Sequence, residues 1–250
     1  MSYYQPSNGP VVLCIMDGWG HRTNNDNNAV ALAKTPIFDS LLKTKPHCLL
    51  DASGVDVGLP DGQVGNSEVG HMNIGAGRVV IQNLPRITQA AKDGSLTNHD
   101  AITNLAEKLL ESGGSAHIMG LLSSGGVHAH QDHFLSVIKG LVEVGVPVLI
   151  HAFMDGRDTL PYAAEQDFPK FLDALPAGAK IASIIGRYFA MDRDNRWERT
   201  QAAYDAIANA RAPVFAIDAL TALDAALSRG DGDEFIAPTV VGNYRGMHDG

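Results

Sequence analysis

Strand-like and helix-like segments alternate regularly between residues 116 and 210, and this alternation constrains the fold more than any other feature of the chain. The strand-like segments are short apolar runs, and each helix-like segment is long enough to cross back over a sheet. Strands joined in this way lie parallel, with right-handed crossovers. We therefore predict an α/β fold with a mainly parallel sheet. The predicted strands are 116–122, 147–153 and 180–185, and the predicted helices are 133–144, 162–175 and 197–210.

The region upstream of the alternation also contains apolar runs. Val11–Met16 and His47–Ser53 are each predicted to form a buried strand, and each contains one of the two cysteines, Cys14 and Cys48. Buried free thiols in a reducing compartment are favoured over a disulfide. The first nine residues lack the basic and apolar parts of a secretory signal, and no apolar run has the length of a membrane span. We therefore expect a cytoplasmic protein.

Two further helices are predicted before the alternation, over 35–42 and 98–112, from capping residues and an amphipathic pattern. The regular pattern begins only after a stretch between Arg78 and Asn83. That change predicts a domain boundary, with domains at 1–80 and 81–250.

The charge balance restricts the partners of the chain. Acidic residues outnumber Lys and Arg by 28 to 19, for a formal net charge of -9. This argues against a broad grip on nucleic acid, but a local cluster of arginines could still bind a small anion. Arg187 and Arg193 are the candidates, because one follows a predicted strand and the other precedes a predicted helix. Arg196 and Arg199 are interpreted as surface charges of that helix.

Polar residues follow the predicted strands at the points where each strand ends. In parallel sheets, ligands bind beyond the carboxyl ends of the strands. Arg157 and Asp158 follow one strand, where a guanidinium could bind phosphate or carboxylate and a carboxylate could move a proton on a substrate hydroxyl. A turn with an internal ion pair is the alternative interpretation.

A glycine-flanked serine, Ser67, lies in the segment 65–75. A serine hydroxyl needs a base or a metal to act as a nucleophile at neutral pH, and backbone amides at a helix start attract phosphate. Asp17 follows the first predicted strand and could share a hard divalent cation with Ser67. For both residues, an ordinary turn rich in Gly, Asn and Ser remains possible.

Four clustered residues support a competing hypothesis. His128, His130, Asp132 and His133 have the spacing of the zinc-binding motif of metallo-β-lactamase-like hydrolases. That fold surrounds the motif with short antiparallel strands, whereas here the motif leads into a predicted helix. The zinc hydrolase is therefore retained only as an alternative.

Taken together and in order, five motifs closely resemble those of cofactor-independent phosphoglycerate mutases, which belong to the alkaline phosphatase superfamily. The resemblance extends from about Val11 to the last residue. The motifs are Met16–Gly20, Gly65–His71, Gly125–His128, Asp155–Asp158 and Gly186–Arg193.

This resemblance implies a partial alkaline-phosphatase-like domain followed by an α/β transferase domain. It implies interconversion of 3-phosphoglycerate and 2-phosphoglycerate in glycolysis and gluconeogenesis through a phosphoserine at Ser67, with two manganese ions. Asp17 and Ser67 would ligate one of these metals. The substrate would be a small molecule, with no nucleic acid or membrane partner, and the protein a monomer. The residues implied to hold phosphoglycerate are His128, Arg157, Asp158, Arg187 and Arg193, with Asp158 also a proton-transfer group.

In the resembled family, a further arginine motif, a lysine and the remaining metal ligands follow the part that this chain matches. We therefore expect the chain to be a fragment that lacks turnover by itself. A non-catalytic module that binds a phosphorylated ligand, formed by residues from Gly113 onward, is a third hypothesis.

Overall fold

A computed structural model of the chain describes residues 9–248, so the first eight residues, considered above for a targeting signal, lie outside the described residues. The chain divides into two compact units, Met1–Ile81 and Gln82–Gly250, which are described separately below. Among residues 9–248, no helix combines the length and apolar character that crossing a membrane requires.

Short helices and extended segments make up the first unit. Its buried apolar side chains are Val57, Leu59 and Val69. The helices are α1 (Ala29–Leu32), α2 (Pro36–Thr44), a 3₁₀ turn at Gly54–Val57 and α3 (Ser67–Ala76). The helix predicted over 35–42 is confirmed as α2, with Pro36 in its first turn.

The two strands predicted in the first unit are wrong. Neither Val11–Met16 nor His47–Ser53 forms a strand, and both segments are exposed to solvent. A strand is stable only when its backbone N–H and C=O groups pair with a neighbour, and the residues described here supply no such neighbour. The prediction of buried thiols fails for the same reason: Cys14 and Cys48 are free, as expected, but both are exposed.

A five-stranded sheet forms the centre of the second unit, with strand order β1-β2-β3-β5-β4. All neighbouring pairs are parallel except β3 and β5, which are antiparallel. The mainly parallel sheet predicted from the alternation is therefore confirmed. The strands are β1 (Ala116–Leu121), β2 (Val148–Met154), β3 (Ala179–Gly186), β4 (Val214–Ala216) and β5 (Thr239–Val241).

Seven helices and one 3₁₀ turn are described in the second unit, and four of the helices match predicted segments to within a few residues. The helix ending at Ser112 is closed by Gly113 in the left-handed conformation, as expected for a glycine cap. The helices are α4 (Asn83–Lys92), α5 (Asp100–Ser112), α6 (Gln131–Glu143), α7 (Ala164–Asp173), α8 (Arg187–Ala190), α9 (Trp197–Ala208) and α10 (Ala219–Ser228), and the 3₁₀ turn is Asp233–Phe235.

Helices cover both faces of the sheet. Successive residues of a strand point to opposite faces, and Ile184 and Ile185 in β3 accordingly belong to two different apolar clusters. One cluster includes side chains of α5, α6, α7 and α10, and the other includes side chains of α9. Such double coverage explains why the parallel strands are continuous apolar runs rather than alternating ones.

Candidate functional site

Three neighbouring parallel strands end at the same edge of the sheet, and polar residues follow each of them. Ser123 lies two residues after β1, Asp155 directly follows β2, and Arg187 directly follows β3. All three side chains are buried. The positions just after these three strands, called the strand exits below, therefore bring a hydroxyl, a carboxylate and a guanidinium together out of contact with solvent.

Asp155 accepts hydrogen bonds from several groups at this edge. Ser123 Oγ donates to one carboxylate oxygen at 2.6 Å, and the amides of Arg157 and Asp158 donate to the other at 3.2 and 2.9 Å. Arg187 Nη1 donates to that second oxygen at 2.6 Å. Burial alone would raise the pKa of Asp155, but these hydrogen bonds outweigh it and hold the pKa below its ordinary value. Asp155 is therefore an ionised anchor, not a proton donor.

Arg187 is shared between two carboxylates. Its Nη1 contacts Asp158 Oδ2 at 2.8 Å as well as Asp155, and only about 9% of its side chain is exposed. Desolvation would lower the pKa of Arg187, yet the hydrogen bonds to Asp158 and Asp155 raise it overall. Arg187 is thus a fixed positive charge whose orientation the two acids determine.

The other predicted ligands in the second unit are more exposed. His128 Nε2 lies 3.7 Å from Asp158 Oδ2, so these two predicted residues are brought together. Arg157 Nη1 lies 3.9 Å from Glu234 Oε1, and half of the Arg157 side chain is exposed. Arg193 is exposed and forms no ion pair with any residue between 9 and 248. Two guanidinium groups are therefore accessible to an anionic ligand.

The 3₁₀ turn Asp233–Phe235 packs closely behind the strand exits. A Cβ on Gly186 would lie 2.3 Å from the carbonyl oxygen of Glu234, and one on Gly156 would lie 2.8 Å from the Glu234 amide nitrogen. Only glycine permits this approach at either position. The turn therefore fixes the backbone directly before Arg157, at Gly156, and directly before Arg187, at Gly186.

Asp233, the first residue of that turn, is almost fully buried. Its Oδ2 accepts a hydrogen bond from the Ala164 amide at 2.8 Å, whereas its Oδ1 has no partner among residues 9–248. Burial raises the pKa of Asp233 to about 6, despite that hydrogen bond, and the charge of Asp155 adds to the increase. The side chain is thus a buried acid that is protonated more readily than an ordinary aspartate.

In the first unit, Ser67 is exposed and is the first residue of α3. Asn66 caps the helix by accepting a hydrogen bond from the Val69 amide at 3.0 Å. His71 Nδ1 lies 2.8 Å from the Ser67 carbonyl oxygen and 3.2 Å from its hydroxyl. Because a carbonyl only accepts, that nitrogen carries the proton and cannot remove one from the hydroxyl. Activation of Ser67 must come from another group.

Asp17 is exposed in a turn of the same unit, and its pairing with Ser67 through a metal stays a prediction. Within residues 9–248, no group of three or more His, Cys, Asp or Glu side chains is arranged to hold a metal ion. Two oxygen ligands are too few for hard divalent cations, which take six or more. The described residues therefore do not fit a complete manganese site.

The histidines of the zinc hypothesis have other partners. His130 caps α6 by accepting a hydrogen bond from the Asp132 amide, and His133 Nε2 lies 2.9 Å from Thr88 Oγ1. His128 faces Asp158 instead of the other two imidazoles. These histidines therefore cap a helix or contact other side chains instead of forming a zinc ligand set. The geometry gives the zinc alternative no support.

Several residues of the site could not be assigned from the sequence. Ser123 and Glu234 belong to no motif that distinguishes them from turn residues. Asp155 belongs to the Asp155–Asp158 motif but was given no role of its own, although the positions of Ser123 and Asp155 after strands were a usable signal. Arg199, expected to be a surface charge, has only 16% of its side chain exposed and pairs with Asp192 at 2.9 Å. Its placement in the first turn of α9 concealed this contact.

The fold and the strand exits together define a class of protein: an α/β protein that gathers arginines and carboxylates at the carboxyl edge of a mainly parallel sheet, as anion-binding enzymes do. The family described as BPG-independent PGAM N-terminus matches residues 87–250. The chain belongs to this family, which confirms the resemblance drawn from the sequence motifs.

Individual relatives agree with this assignment. A 2,3-bisphosphoglycerate-independent phosphoglycerate mutase of Gluconobacter oxydans is 56% identical over 241 residues, which are 96% of this chain and 47% of the relative. One from Serratia proteamaculans is 49% identical over 248 residues, again 96% of this chain and 48% of the relative. The chain therefore spans about half the length of the curated relatives that it matches.

A solved structure is also similar. It is a Leishmania mexicana phosphoglycerate mutase crystallised at low cobalt concentration, with 31% sequence identity and a TM-score of 0.64. The match covers 93% of this chain and 45% of that one. The similarity extends through both units of this chain and again corresponds to about half of the longer protein.

Proposed function

We propose that this chain is part of a cofactor-independent phosphoglycerate mutase, which interconverts 3-phosphoglycerate and 2-phosphoglycerate through a phosphoserine at Ser67. The family membership and the relatives' names support the reaction. The observation that carries the proposal is the buried Arg187 shared by Asp155 and Asp158, together with the exposed Arg157, which follows the same strand as Asp158, and the exposed Arg193, in the loop after the helix that begins with Arg187. A substrate with one carboxylate and one phosphate calls for several guanidinium groups in fixed positions.

Each predicted ligand has a chemical role that suits its surroundings. Arg157 and Arg193 would bind the anionic groups of phosphoglycerate, and Arg187 would supply a fixed charge between them. His128 and Asp158, 3.7 Å apart, would contact the glycerate hydroxyl, with Asp158 moving its proton as the phosphoryl group leaves or returns. Phosphoryl transfer requires mainly positioning and charge stabilisation, which such a set supplies.

The phosphoryl group would pass from one glycerate oxygen to Ser67 Oγ and then to the other oxygen of the same glycerate. Ser67 is accessible and lies at the start of α3, where backbone amides favour a phosphate. The family resemblance implies manganese at Asp17 and Ser67. Because these residues do not complete a metal site, ligands outside the described residues are required, and turnover is not expected from this chain alone.

Calorimetry with 3-phosphoglycerate tests the proposal on the chain as it exists. We expect binding that is weakened about tenfold or more by Arg193→Ala, because a charge-assisted hydrogen bond is lost. Arg196→Ala, which removes a nearby exposed arginine, is the matched control and should leave the affinity nearly unchanged. Absence of heat at millimolar ligand would contradict the assignment of the binding site.

An activity assay with manganese separates binding from turnover. We expect no conversion of 3-phosphoglycerate by this polypeptide. Binding without conversion would also fit a non-catalytic module that binds phosphorylated ligands, as considered from the sequence. Robust conversion by the chain alone would show that its own residues complete the active site. In cells we propose a cytoplasmic monomer.

A further inference from the structure

A largely enclosed ion pair, Asp192–Arg199, holds the loop that carries Arg193. The loop comprises residues 191–196, between α8 and α9. Asp192, whose side chain is only 3% exposed, accepts a hydrogen bond from the Arg196 amide at 2.8 Å and another from Arg199 Nη1 at 2.9 Å. One carboxylate therefore ties the end of the loop and the start of α9 to the residue preceding Arg193.

Arg199 connects this loop to α8. Its guanidinium carbon lies 3.7 Å above the centre of the Tyr188 ring, a cation–π contact. Tyr188 follows the site residue Arg187 directly and its ring lies 5.3 Å from that of Phe235. Arg199 Nη1 also contacts Asp194 at 3.1 Å, but the Asp194 side chain is 65% exposed. The loop is thus attached to the helix that begins with Arg187.

Such contacts contribute little net stability to a fold. Desolvating an ion pair costs about as much as the pair regains, and apolar side chains usually stabilise a core as well or better. The loop also contains Asn195 with a φ of 58°, a left-handed conformation that few residues other than glycine adopt readily. What the largely enclosed pair provides is one defined loop geometry.

We propose that Asp192 and Arg199 are positioning residues, which hold loop 191–196 so that the Arg193 guanidinium meets an anionic group of phosphoglycerate. This inference rests on the proposed function of the site. Arg193 itself is exposed and unpaired among residues 9–248, so nothing else described in the structure restrains its side chain. A loop ordered before binding avoids the entropic cost of ordering it with the ligand, which raises the affinity.

A double-mutant cycle measured by calorimetry with 3-phosphoglycerate tests this inference. Arg193→Ala and Arg199→Met should each weaken binding about tenfold, and the double variant should bind no more weakly than Arg193→Ala. Arg199→Lys should recover part of the affinity. Asp194→Asn, which alters the exposed contact of the same guanidinium, is the control and should change affinity less than about twofold. Additive losses in the cycle would overturn the inference.

Hydrogen exchange of the ligand-free protein provides a measurement that does not depend on the substrate. Asp192→Asn should accelerate exchange of the Arg196 amide about tenfold or more, while amides of β2 keep their protection. If Arg199→Met does not fold, Asp192→Asn replaces it in the cycle. Unchanged exchange would show that the pair does not hold the loop. Accelerated exchange without any ligand binding by the unmodified chain would instead contradict the proposed function and the role assigned to Arg193.

Discussion

At the scale of single residues, Asp155 determines the geometry of the strand exits. Among the carboxylates between residues 9 and 248, it is the one that contacts both Ser123 from the end of β1 and Arg187 from the end of β3. It also accepts the amides of Arg157 and Asp158, so it fixes the backbone of two predicted ligands. Both of its oxygen atoms already accept hydrogen bonds from the protein, and the side chain is buried. Its contribution is therefore to hold other groups in place.

Asp155→Asn should destabilise the protein by about 2–4 kcal/mol. An amide side chain accepts hydrogen bonds at only one of its two ends, so its N–H₂ group must face either the Ser123 hydroxyl or the donors around Arg187. Urea unfolding measures the loss. Asp132→Asn, with a side chain 71% exposed, is the control and should change the stability by less than about 0.5 kcal/mol. Equal effects of the two substitutions would contradict the anchoring role.

Asp233 should make stability depend on pH in the direction opposite to that of most aspartates. Its pKa is about 6 in the folded protein, above the value of about 3.9 expected for an unfolded chain. The folded state therefore binds the proton more tightly, and the stabilisation present below pH 4 is lost as the pH rises through 6. Between pH 4 and 7, the unfolding free energy of the unmodified protein should fall by about 2–3 kcal/mol relative to that of Asp233→Asn. A difference that stays constant with pH would show that Asp233 does not titrate in this way.

The sequence was sufficient to predict where some of these residues lie relative to the strands, but not which side chains they contact. The positions of Arg187 and Asp158 after strand ends could be predicted because the apolar pattern along the chain marks where each strand ends, whereas their roles in binding stay a prediction. The partner Asp155 lies 32 residues before Arg187 in the sequence, directly after the neighbouring strand. No local sequence pattern indicates which side chains meet across two strands. For the same reason Arg199 was interpreted as a surface charge, although Asp192 and Tyr188 largely enclose it.

At the scale of secondary structure, the long parallel strands were predictable, whereas β4 and β5 were not. β4 and β5 have three residues each, too short to produce a recognisable period. Val11–Met16 shows the opposite failure, because its apolar residues have the composition of a strand but lack a partner among the described residues. Composition indicates that a segment can be a strand, but hydrogen-bond partners decide whether it is one.

The contact between β3 and the 3₁₀ turn Asp233–Phe235 should be sensitive to a single methyl group. Gly186→Ala would place a Cβ 2.3 Å from the Glu234 carbonyl oxygen, which forces the turn and the strand end apart. We expect a loss of about 1–3 kcal/mol, measured by thermal or urea unfolding, together with weaker binding of 3-phosphoglycerate because Arg187 shifts. Gly232→Ala, next to the same turn, is the matched comparison and should cost less, since its Cβ would lie 3.3 Å from the Pro161 carbonyl oxygen, a tight contact that a shift of a few tenths of an ångström relieves. Tolerance of Gly186→Ala would mean that the turn is not rigidly packed.

At the scale of the whole molecule, the two units differ in how much apolar surface they bury. The large clusters around the sheet belong to the second unit, whereas the first unit buries Val57, Leu59 and Val69 among its described residues. Many apolar side chains of the first unit are exposed, with Val11 at 88% and Leu50 at 85%. Burial of apolar area is the main favourable term in folding, so stability should be concentrated in the second unit.

Residues 82–250 should therefore fold without the first unit. Expressed alone, they should unfold in one cooperative transition whose midpoint lies within a few degrees of the main transition of the full chain, because the sheet and both of its apolar clusters are retained. Circular dichroism in the near and far ultraviolet, followed with temperature, measures this. Residues 9–81 alone serve as the comparison and should show no cooperative transition, since three buried side chains do not offset the entropy of ordering such a segment. If 82–250 instead lost its near-ultraviolet signal while keeping its helical signal, the sheet would depend on the first unit for its packing, and the separation of the two units would not extend to their folding.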